Sequence, residues 1–151
     1  MSIDKPNRDI KLLAPQFYEM VDAVLIDLKS QGLDAGIYEA WRSDDRQRYL
    51  WESGRSRPGP IVTNAKPGQS AHNWGLGADL TGKVNGKWTW DEKQFNYKLL
   101  RETYKKHGLQ VVGFEYVHCE FIGNFKHNEL QDYARIYGLN GLWERVFNGR
   151  V

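Results

Sequence analysis

Two short segments of the sequence carry side chains that could bind a metal ion. In the first, His72 and Asp79 stand seven residues apart, across a Gly-rich stretch that leads into a predicted strand. In the second, His118 is flanked by two carboxylates, Glu115 and Glu120. Two imidazoles and one carboxylate are a typical protein shell for catalytic zinc, because they leave the fourth coordination position to water. We therefore predict that His72, Asp79 and His118 bind one Zn²⁺ ion.

A hydrolytic zinc site also needs a general base. The metal acidifies its bound water, and a nearby carboxylate then takes up the proton and passes it to the leaving amine. Glu115 and Glu120 are the two candidates. On a regular strand Glu120 shares a face with His118, whereas Glu115 reaches the site only if the chain bends near Gly113 or turns before His118. The spacing leaves the identity of the base open.

The single cysteine and the two histidines outside the metal segments are interpreted as structural. Cys119 faces away from His118 on a strand, and a fourth protein ligand would block hydrolysis. His107 ends a predicted helix, where a partly positive imidazole is favourable. His127 begins the last helix and has no partner at ligand spacing.

The elements that position these residues are predicted from hydrophobic spacing, capping residues and turn residues. The predicted helices cover residues 15–31, 44–52, 91–107 (with Asp91 as its N-cap) and 128–137. The predicted strands cover residues 35–41, 78–84, 87–90, 109–112 and 116–121. Residues 53–70 are rich in Gly, Pro and Ser and are expected to form a long loop, and a short turn bearing Trp143 follows the last helix.

Segregated runs of helices and antiparallel strands predict an α+β fold, with a small central antiparallel sheet flanked by helices. The 151 residues are 40% hydrophobic and 26% charged, which suits one globular domain over residues 1–151. We expect the metal site to lie in an open groove over the sheet, walled by the long loop.

Composition also argues against several partners. The net charge is only +2, without a cluster of Lys and Arg, so we expect no nucleic-acid binding. No apolar run approaches the length of a membrane span, and the N-terminus lacks the apolar segment of a secretory signal. We expect a monomer that stays in the cytoplasm unless another device exports it.

The two metal segments resemble those of a known family, the LAS-type zinc peptidases. Residues 70–79, SAHNWGLGAD, are similar to its SxHxxGxAxD pattern, with Gly77 in place of Ala. Residues 115–118, EYVH, resemble its ExxH element, with Val117 where an aromatic residue is frequent. This family includes D-alanyl-D-alanine peptidases and L-alanyl-D-glutamate endolysins.

The resemblance extends upstream of the metal segments. Residues 38–43, YEAWRS, together with Gln47 resemble the family's YRS…Q segment, and residues 54–70 resemble the loop before the first ligand. The matches run from about residue 37 to residue 120, over half of the chain. The implied fold is of the Hedgehog/D-Ala-D-Ala-peptidase type.

The resemblance implies a role for each matched residue. It makes His72, Asp79 and His118 the zinc ligands and Glu115 the general base. It also implies that Arg42 stabilises the scissile carbonyl oxygen or binds a substrate carboxylate, because a guanidinium can offer two parallel donors to a planar pair of oxygens.

Three further residues are candidate substrate contacts. Gln47 and Ser70 are implied as polar contacts near the site, although each could also serve only the local backbone. Trp74 lies within the ligand loop, where it either flanks the substrate or packs beneath the zinc.

The implied function is that of a zinc-dependent peptidoglycan peptidase. The nearest likeness is to the phage endolysin branch, which implies hydrolysis of the L-Ala–D-Glu bond of the stem peptide. It also implies an enzyme that waits in the cytoplasm of the producing or infected bacterium and reaches the wall after the membrane is permeabilised. A D-Ala–D-Ala carboxypeptidase is the alternative. A non-catalytic, zinc-bearing wall-binding module is a third hypothesis, against which the presence of both Glu115 and Arg42 counts.

Overall fold

Helices and antiparallel strands form an α+β fold, which confirms the predicted fold class. The computed structural model describes residues 2–113 and 115–148. Its α-helices are α1 (Pro15–Ser30), α2 (Asp44–Glu52), α3 (Tyr97–Lys106) and α4 (His127–Asn148). Its strands are β1 (Ala35–Glu39), β2 (Gly77–Val84), β3 (Lys87–Thr89) and β4 (His118–Glu120). Two short 3-10 helices cover Ile10–Leu12 and Ala71–Trp74.

Strand β2 is the centre of the sheet. It pairs antiparallel with β1 along one edge, and with β3 and β4 along the other. The register sets Asp79 between Glu39 of β1 and His118 of β4. Because residues directly opposite each other share a face of a sheet, these three side chains lie on the same side. Strand register therefore brings two of the predicted metal ligands together.

The opposite face of the sheet carries the hydrophobic core. Ala78 and Leu80 of β2 are fully buried, and alternation along the strand points them away from Asp79. The core residues contributed by α1 and α3 include Phe17, Val21, Val24, Leu28, Leu100 and Tyr104. Cys119 is buried in the same cluster, opposite in direction to its neighbour His118, as predicted.

Helices α1 and α3 are joined by polar contacts near their C-terminal ends. Asp27 Oδ2 lies 2.7 Å from His107 Nε2 and 2.9 Å from Lys106 Nζ. His107 therefore links the end of α3 to α1, in agreement with its interpretation as a structural residue.

Helix α3 begins later than predicted. Asn96, not Asp91, is its N-cap, since the Asn96 side chain accepts a hydrogen bond from the amide of Leu99. Asp91 instead opens a turn in which its carbonyl accepts a hydrogen bond from the amide of Phe95. The turn packs the Phe95 ring against Gly82, where any larger residue would collide with it.

The C-terminal region is more helical than predicted. Helix α4 covers His127–Asn148, with a break at Gly138, whose φ is +72°. Trp143 therefore lies in a helix and not in a turn. After the break, apolar residues recur at helical spacing and two of them, Leu142 and Val146, are buried. Among the described residues, no helix combines the length and apolarity that crossing a membrane requires.

Four predicted strands are shorter than expected or absent, among them β3, which ends at Thr89 rather than at residue 90. Strand β1 ends at Glu39 rather than at residue 41, and β4 covers only residues 118–120. Residues 109–112 form a single bridge, between Gln110 and Glu120, instead of a strand. Gly113, whose φ is +50°, turns the chain directly afterwards.

The predicted long loop, residues 53–70, is held against α2 by two arginines. The guanidinium of Arg55 lies 3.4 Å from the ring centre of Trp51 and donates to the Trp51 carbonyl. The guanidinium of Arg57 lies 3.8 Å from the ring centre of Tyr49 and donates to the Tyr49 carbonyl. These contacts satisfy carbonyls near the C-terminal end of α2 and fix the loop beside the sheet.

Candidate metal centre

The structure brings the three predicted metal ligands together. His72 Nε2 lies 3.2 Å from Asp79 Oδ1, and His118 Nδ1 lies 3.2 Å from His72 Nε2 and 3.3 Å from Asp79 Oδ1. Ligand atoms placed tetrahedrally at about 2.0–2.1 Å from zinc lie about 3.3 Å from one another. The three donor atoms therefore have the spacing of three corners of a zinc tetrahedron.

A short 3-10 helix, Ala71–Trp74, presents His72 to the cluster. Ser70 is its N-cap, where the hydroxyl accepts a hydrogen bond from the His72 amide. The side-chain oxygen of Asn73 accepts in return from the amide of Ser70, and Gly75 ends the helix with a φ of +69°. The Ser, Asn and Gly of this segment thus build the turn that carries the ligand.

Hydrogen bonds on the outer nitrogen of each ring decide which nitrogen faces the cluster. His72 Nδ1 lies 2.7 Å from the Ala40 carbonyl oxygen, and because a carbonyl only accepts, this nitrogen carries a hydrogen. His118 Nε2 lies 2.7 Å from the Glu120 carboxylate and likewise donates. The inner nitrogens of the two neutral rings then present lone pairs beside the Asp79 carboxylate. Three acceptors at this separation fit a bound cation.

The carboxylates beside His118 also favour a proton on its ring. Burial lowers the pKa of His118, but hydrogen bonds to Asp79 and Glu120 outweigh burial and raise this pKa to about 9. Burial would raise the pKa of Asp79, yet His72, His118 and Arg42 hold it well below its usual range. Burial and the charge of Arg42 lower the pKa of His72. At neutral pH, a metal ion at this centre therefore replaces a proton on His118.

Arg42 binds the side of Asp79 that faces away from the histidines. Its Nη2 lies 3.3 Å from Asp79 Oδ2 and 3.0 Å from Glu39 Oε1, and its Nη1 lies 3.3 Å from Gln47 Oε1. The guanidinium thereby orients the Asp79 carboxylate so that Oδ1 points into the cluster. Arg42 also lines the cleft over the metal centre, where a substrate could reach it.

Glu39 was not identified from the sequence, although it organises this side of the site. Its buried carboxylate binds Arg42 and also Arg46, whose Nε lies 2.9 Å from Glu39 Oε2. Burial would raise the pKa of Glu39, but the charge of Arg42 and the hydrogen bond from Arg46 lower it. The sequence signal is weak, because a Glu followed by Arg three and seven residues later is also typical of a solvent-exposed ion pair.

Two of the predicted substrate contacts lie behind the cleft wall. Gln47 has no exposed surface, and its amide donates to the Ala65 carbonyl at 2.8 Å while its oxygen faces Arg42. Trp74 is 2% exposed, and its Nε1 donates to the Gly68 carbonyl. Gln47 fastens the 53–70 loop to α2, and Trp74 fastens it to the 3-10 helix that carries His72. Their contact with substrate stays a prediction.

Glu120 lies behind His118, on the side away from the cluster. Its Oε1 accepts the hydrogen bond from His118 Nε2 at 2.7 Å, and its Oε2 lies 2.6 Å from His127 Nε2. Burial would raise the pKa of Glu120, but the two imidazoles lower it to about 2. This carboxylate is therefore placed to orient a ligand, and not to take a proton from water at the cluster.

The pairing of His127 with Glu120 could not be seen in the sequence. The hydrogen bond to Glu120 raises the pKa of His127. The contact crosses the connection between β4 and α4, and no spacing rule links residues across such a connection. The sequence signal is only that a histidine follows a metal segment at short distance.

An open cleft of about 1080 Å³ lies over the cluster, and Glu115 and Ser70 both line it. The side chain of Glu115 is exposed to this cleft. Arg101 of α3 donates to the carbonyl oxygens of Gly113 and Glu115 at 2.5 and 2.6 Å, which holds the turn before the metal ligand. The chain also bends at Gly113, whose φ is +50°, where Glu115 was predicted to need a bend.

Exposed apolar side chains form part of the cleft lining. The exposed apolar residues among its lining are Val62, Trp90, Val112 and Tyr116. The cleft combines this apolar lining with a few convergent polar groups at its floor, which is typical of a site for an organic substrate.

Comparison with known proteins agrees with this geometry. A family model described as VanY, D-alanyl-D-alanine carboxypeptidase, matches residues 10–132. The peptidoglycan L-alanyl-D-glutamate endopeptidase CwlK of Bacillus subtilis (strain 168) is 38% identical over 80 residues, which cover 52% of this chain and 48% of CwlK. The chain thus spans about half the length of this curated relative.

A solved structure of the LdcB LD-carboxypeptidase has a similar fold. Its TM-score to this chain is 0.59 at 20% identity, and the match covers 89% of this chain and 69% of that one. At this identity the likeness shows the fold alone. The family match, in contrast, includes all three residues of the metal cluster and confirms the resemblance to LAS-type peptidases: the chain belongs to the VanY D-alanyl-D-alanine carboxypeptidase family.

Proposed function

We propose that this protein is a zinc-dependent peptidase that hydrolyses an amide bond in the stem peptide of peptidoglycan. One observation carries the proposal: two imidazole nitrogens and a carboxylate oxygen converge at the spacing of a zinc shell, on the floor of an open cleft. The family match and the likeness to CwlK supply the class of substrate. We propose one Zn²⁺ per chain.

The site divides the chemistry between the metal and the protein. Zinc held by His72, Asp79 and His118 would supply a Lewis acid that polarises an amide carbonyl and acidifies water. Glu115 takes the proton from the attacking water and returns it to the leaving amine. Its exposed position in the cleft supports this role, whereas both oxygens of Glu120 are occupied by imidazoles.

Arg42 has two tasks in this proposal. It orients Asp79 through Oδ2, and it presents its guanidinium to the cleft for the scissile carbonyl or a carboxylate of the substrate. Its contacts with Glu39 and Gln47 restrict its movement, so the donors are positioned before substrate binds.

The bond that we propose is cut is L-Ala–D-Glu, so the enzyme is an endopeptidase. The likeness to CwlK supports this choice. The family match favours the alternative, a D-Ala–D-Ala carboxypeptidase. Mass analysis of digested muropeptides separates the two, because an endopeptidase releases the stem peptide beyond MurNAc-L-Ala and a carboxypeptidase releases only the terminal D-Ala.

Glu115→Gln tests the mechanism. The variant should bind zinc as the wild type does, because Glu115 is not a ligand, and its hydrolysis of purified peptidoglycan should fall by about 10²–10⁴-fold. Glu102→Gln removes the same charge from an exposed position on α3 and should leave hydrolysis unchanged. Unchanged turnover in Glu115→Gln would remove Glu115 from the mechanism.

A zinc-bearing wall-binding module is the competing proposal. It predicts that the wild type sediments with cell walls in the presence of zinc and never clears a wall suspension. Zinc-dependent clearing that a chelator abolishes would exclude it.

We also propose that the protein acts as a lysin that reaches the wall from the cytoplasm. The resemblance to the phage endolysin branch supports this. Bacteria that express the chain should lyse only after the membrane is permeabilised. Lysis on expression alone, or recovery of the protein outside the intact membrane, would contradict it.

A further inference from the structure

A chain of three side chains runs from the metal centre to the wall of the cleft. Glu120 accepts hydrogen bonds from His118 Nε2 at 2.7 Å and from His127 Nε2 at 2.6 Å. The His127 side chain is 48% exposed and lines the cleft. We propose that His127 is a positioning residue of the metal centre, which acts through Glu120 on the ring of His118. The inference rests on the proposed role of the cluster as a zinc site.

The geometry of a carboxylate explains why a second donor matters. The terminal torsion of a Glu side chain is broad, so one hydrogen bond leaves its plane free to turn. Donors on both oxygens hold the plane. Glu120 is 3% exposed, so in the folded protein its carboxylate depends on these two imidazole donors rather than on water.

The orientation of the His118 ring depends on that plane. When Nδ1 of His118 binds a metal, Nε2 is the nitrogen through which the protein can orient the ring. A carboxylate fixed by His127 therefore keeps Nδ1 directed at His72 and Asp79. Loss of His127 would let both the carboxylate and the ring turn.

Helix α4 is well placed to fix His127. His127 is the first residue of α4, and the ring of Trp74 lies 5.9 Å from its ring. Farther along the helix, Trp143 Nε1 donates to the Trp74 carbonyl at 2.6 Å. Helix α4 thus contacts the 3-10 helix that carries His72, and it also contacts Glu120, the hydrogen-bond partner of His118.

The simpler explanation is that the bond to Glu120 only anchors α4. That explanation predicts a loss of stability without a change in zinc affinity. The two explanations therefore differ in a quantity that needs no substrate, the zinc dissociation constant of the full chain.

The experiment measures zinc affinity by competition with a chromogenic chelator. His127→Ala should weaken zinc binding by about 10-fold, at the low end of the range for residues that orient a metal ligand. His127→Gln keeps an N–H donor and should restore most of the affinity. His127→Phe keeps the ring volume without a donor, and gives the same test as His127→Ala if that variant does not fold.

His107→Ala is the matched control. His107 also donates to a carboxylate at 2.7 Å, that of Asp27, but at the α1–α3 contact. This variant should lose thermal stability and keep its zinc affinity. In a Glu120→Gln background, His127→Ala should weaken zinc binding no further, because the shared carboxylate is already lost.

Wild-type zinc affinity in His127→Ala or His127→Phe would overturn the inference, whatever happens to Tm. So would a wild-type chain that takes up no zinc. A wild type that binds zinc but leaves peptidoglycan intact would refute the proposed function, while the effect of His127 on zinc affinity would still be measured.

Discussion

His118 lies between two carboxylates, Asp79 beside Nδ1 and Glu120 beside Nε2. The bond to Glu120 can persist when a metal binds, because Nε2 points away from the cluster. A proton on Nδ1, in contrast, must leave before a metal can bind to that nitrogen. The proton that the Asp79 carboxylate favours on Nδ1 therefore competes with zinc at neutral pH, whereas the bond to Glu120 does not.

Zinc affinity should consequently depend on pH. Because the pKa of His118 is raised to about 9, the apparent affinity should increase by about 10-fold per pH unit below pH 9 and level off above it. Calorimetry in buffers of different ionisation enthalpy should detect the release of about one proton per zinc bound near pH 7. An affinity that stays constant between pH 7 and pH 9 would show that Nδ1 carries no such proton.

A substitution of Glu39 tests the side of the metal centre where Arg42 binds Asp79. Glu39→Gln leaves Arg42 and Arg46 without their buried carboxylate, so the free energy of unfolding should fall by about 3–5 kcal/mol. Urea denaturation measures it. Asp45→Asn breaks an exposed ion pair with Arg48 and should cost about 0–1 kcal/mol. Equal losses in the two variants would contradict the buried role of Glu39.

Among the elements, the 3-10 helix Ala71–Trp74 packs closely on the start of β2. Gly77, where the family pattern has Ala, has no room for a side chain: a Cβ would lie 3.0 Å from the backbone of Ala71 and from the amide nitrogen of His72. The exchange of Ala for Gly is therefore not neutral in this chain. It lets the turn that carries a metal ligand approach the strand that carries another.

Gly77→Ala should displace that turn. We expect a loss of about 1–3 kcal/mol in the free energy of unfolding, together with weaker zinc binding. In Gly36→Ala on β1, the added methyl meets only the ends of the Trp88 and Lys83 side chains, so zinc affinity should not change. Wild-type zinc affinity in Gly77→Ala would show that the turn relaxes without moving His72.

For the whole molecule, the cluster joins distant parts of the chain. His72 lies on the 3-10 helix, Asp79 on the central strand β2, and His118 on β4, which pairs with β2. A metal that binds all three stabilises the folded chain only, because the unfolded chain does not assemble the set.

Zinc should therefore raise the stability of the whole chain. At a free zinc concentration 100 times the dissociation constant, the gain is about 2.7 kcal/mol. For a chain of 151 residues this corresponds to an increase in Tm of roughly 5–11 °C. Differential scanning calorimetry with and without chelator measures it. His118→Ala should show almost no increase, and a comparable increase in that variant would place the zinc elsewhere.

The sequence by itself determined the fold class and the residues that the structure brings together as the metal cluster. Local patterns carry this information: helical periodicity, a Gly-rich turn between His72 and Asp79, and two separated motifs in a fixed order. The same patterns predicted the long loop and the buried direction of Cys119. They misplaced the start of α3, because Asn96 and Asp91 are equally good caps and tertiary packing of Phe95 decides between them.

Only the tertiary structure decided the partners of the metal ligands. Strand register sets Glu39 opposite Asp79, where Arg42 binds both carboxylates, and His127 reaches Glu120 across a connection between two elements. Strand pairing and helix packing create these contacts. Neither leaves a repeating pattern in the sequence from which the contacts could be predicted. For the same reason, spacing left the general base open, and the contacts that distinguish the two candidates arise on folding: both oxygens of Glu120 lie against imidazoles, whereas the side chain of Glu115 is exposed.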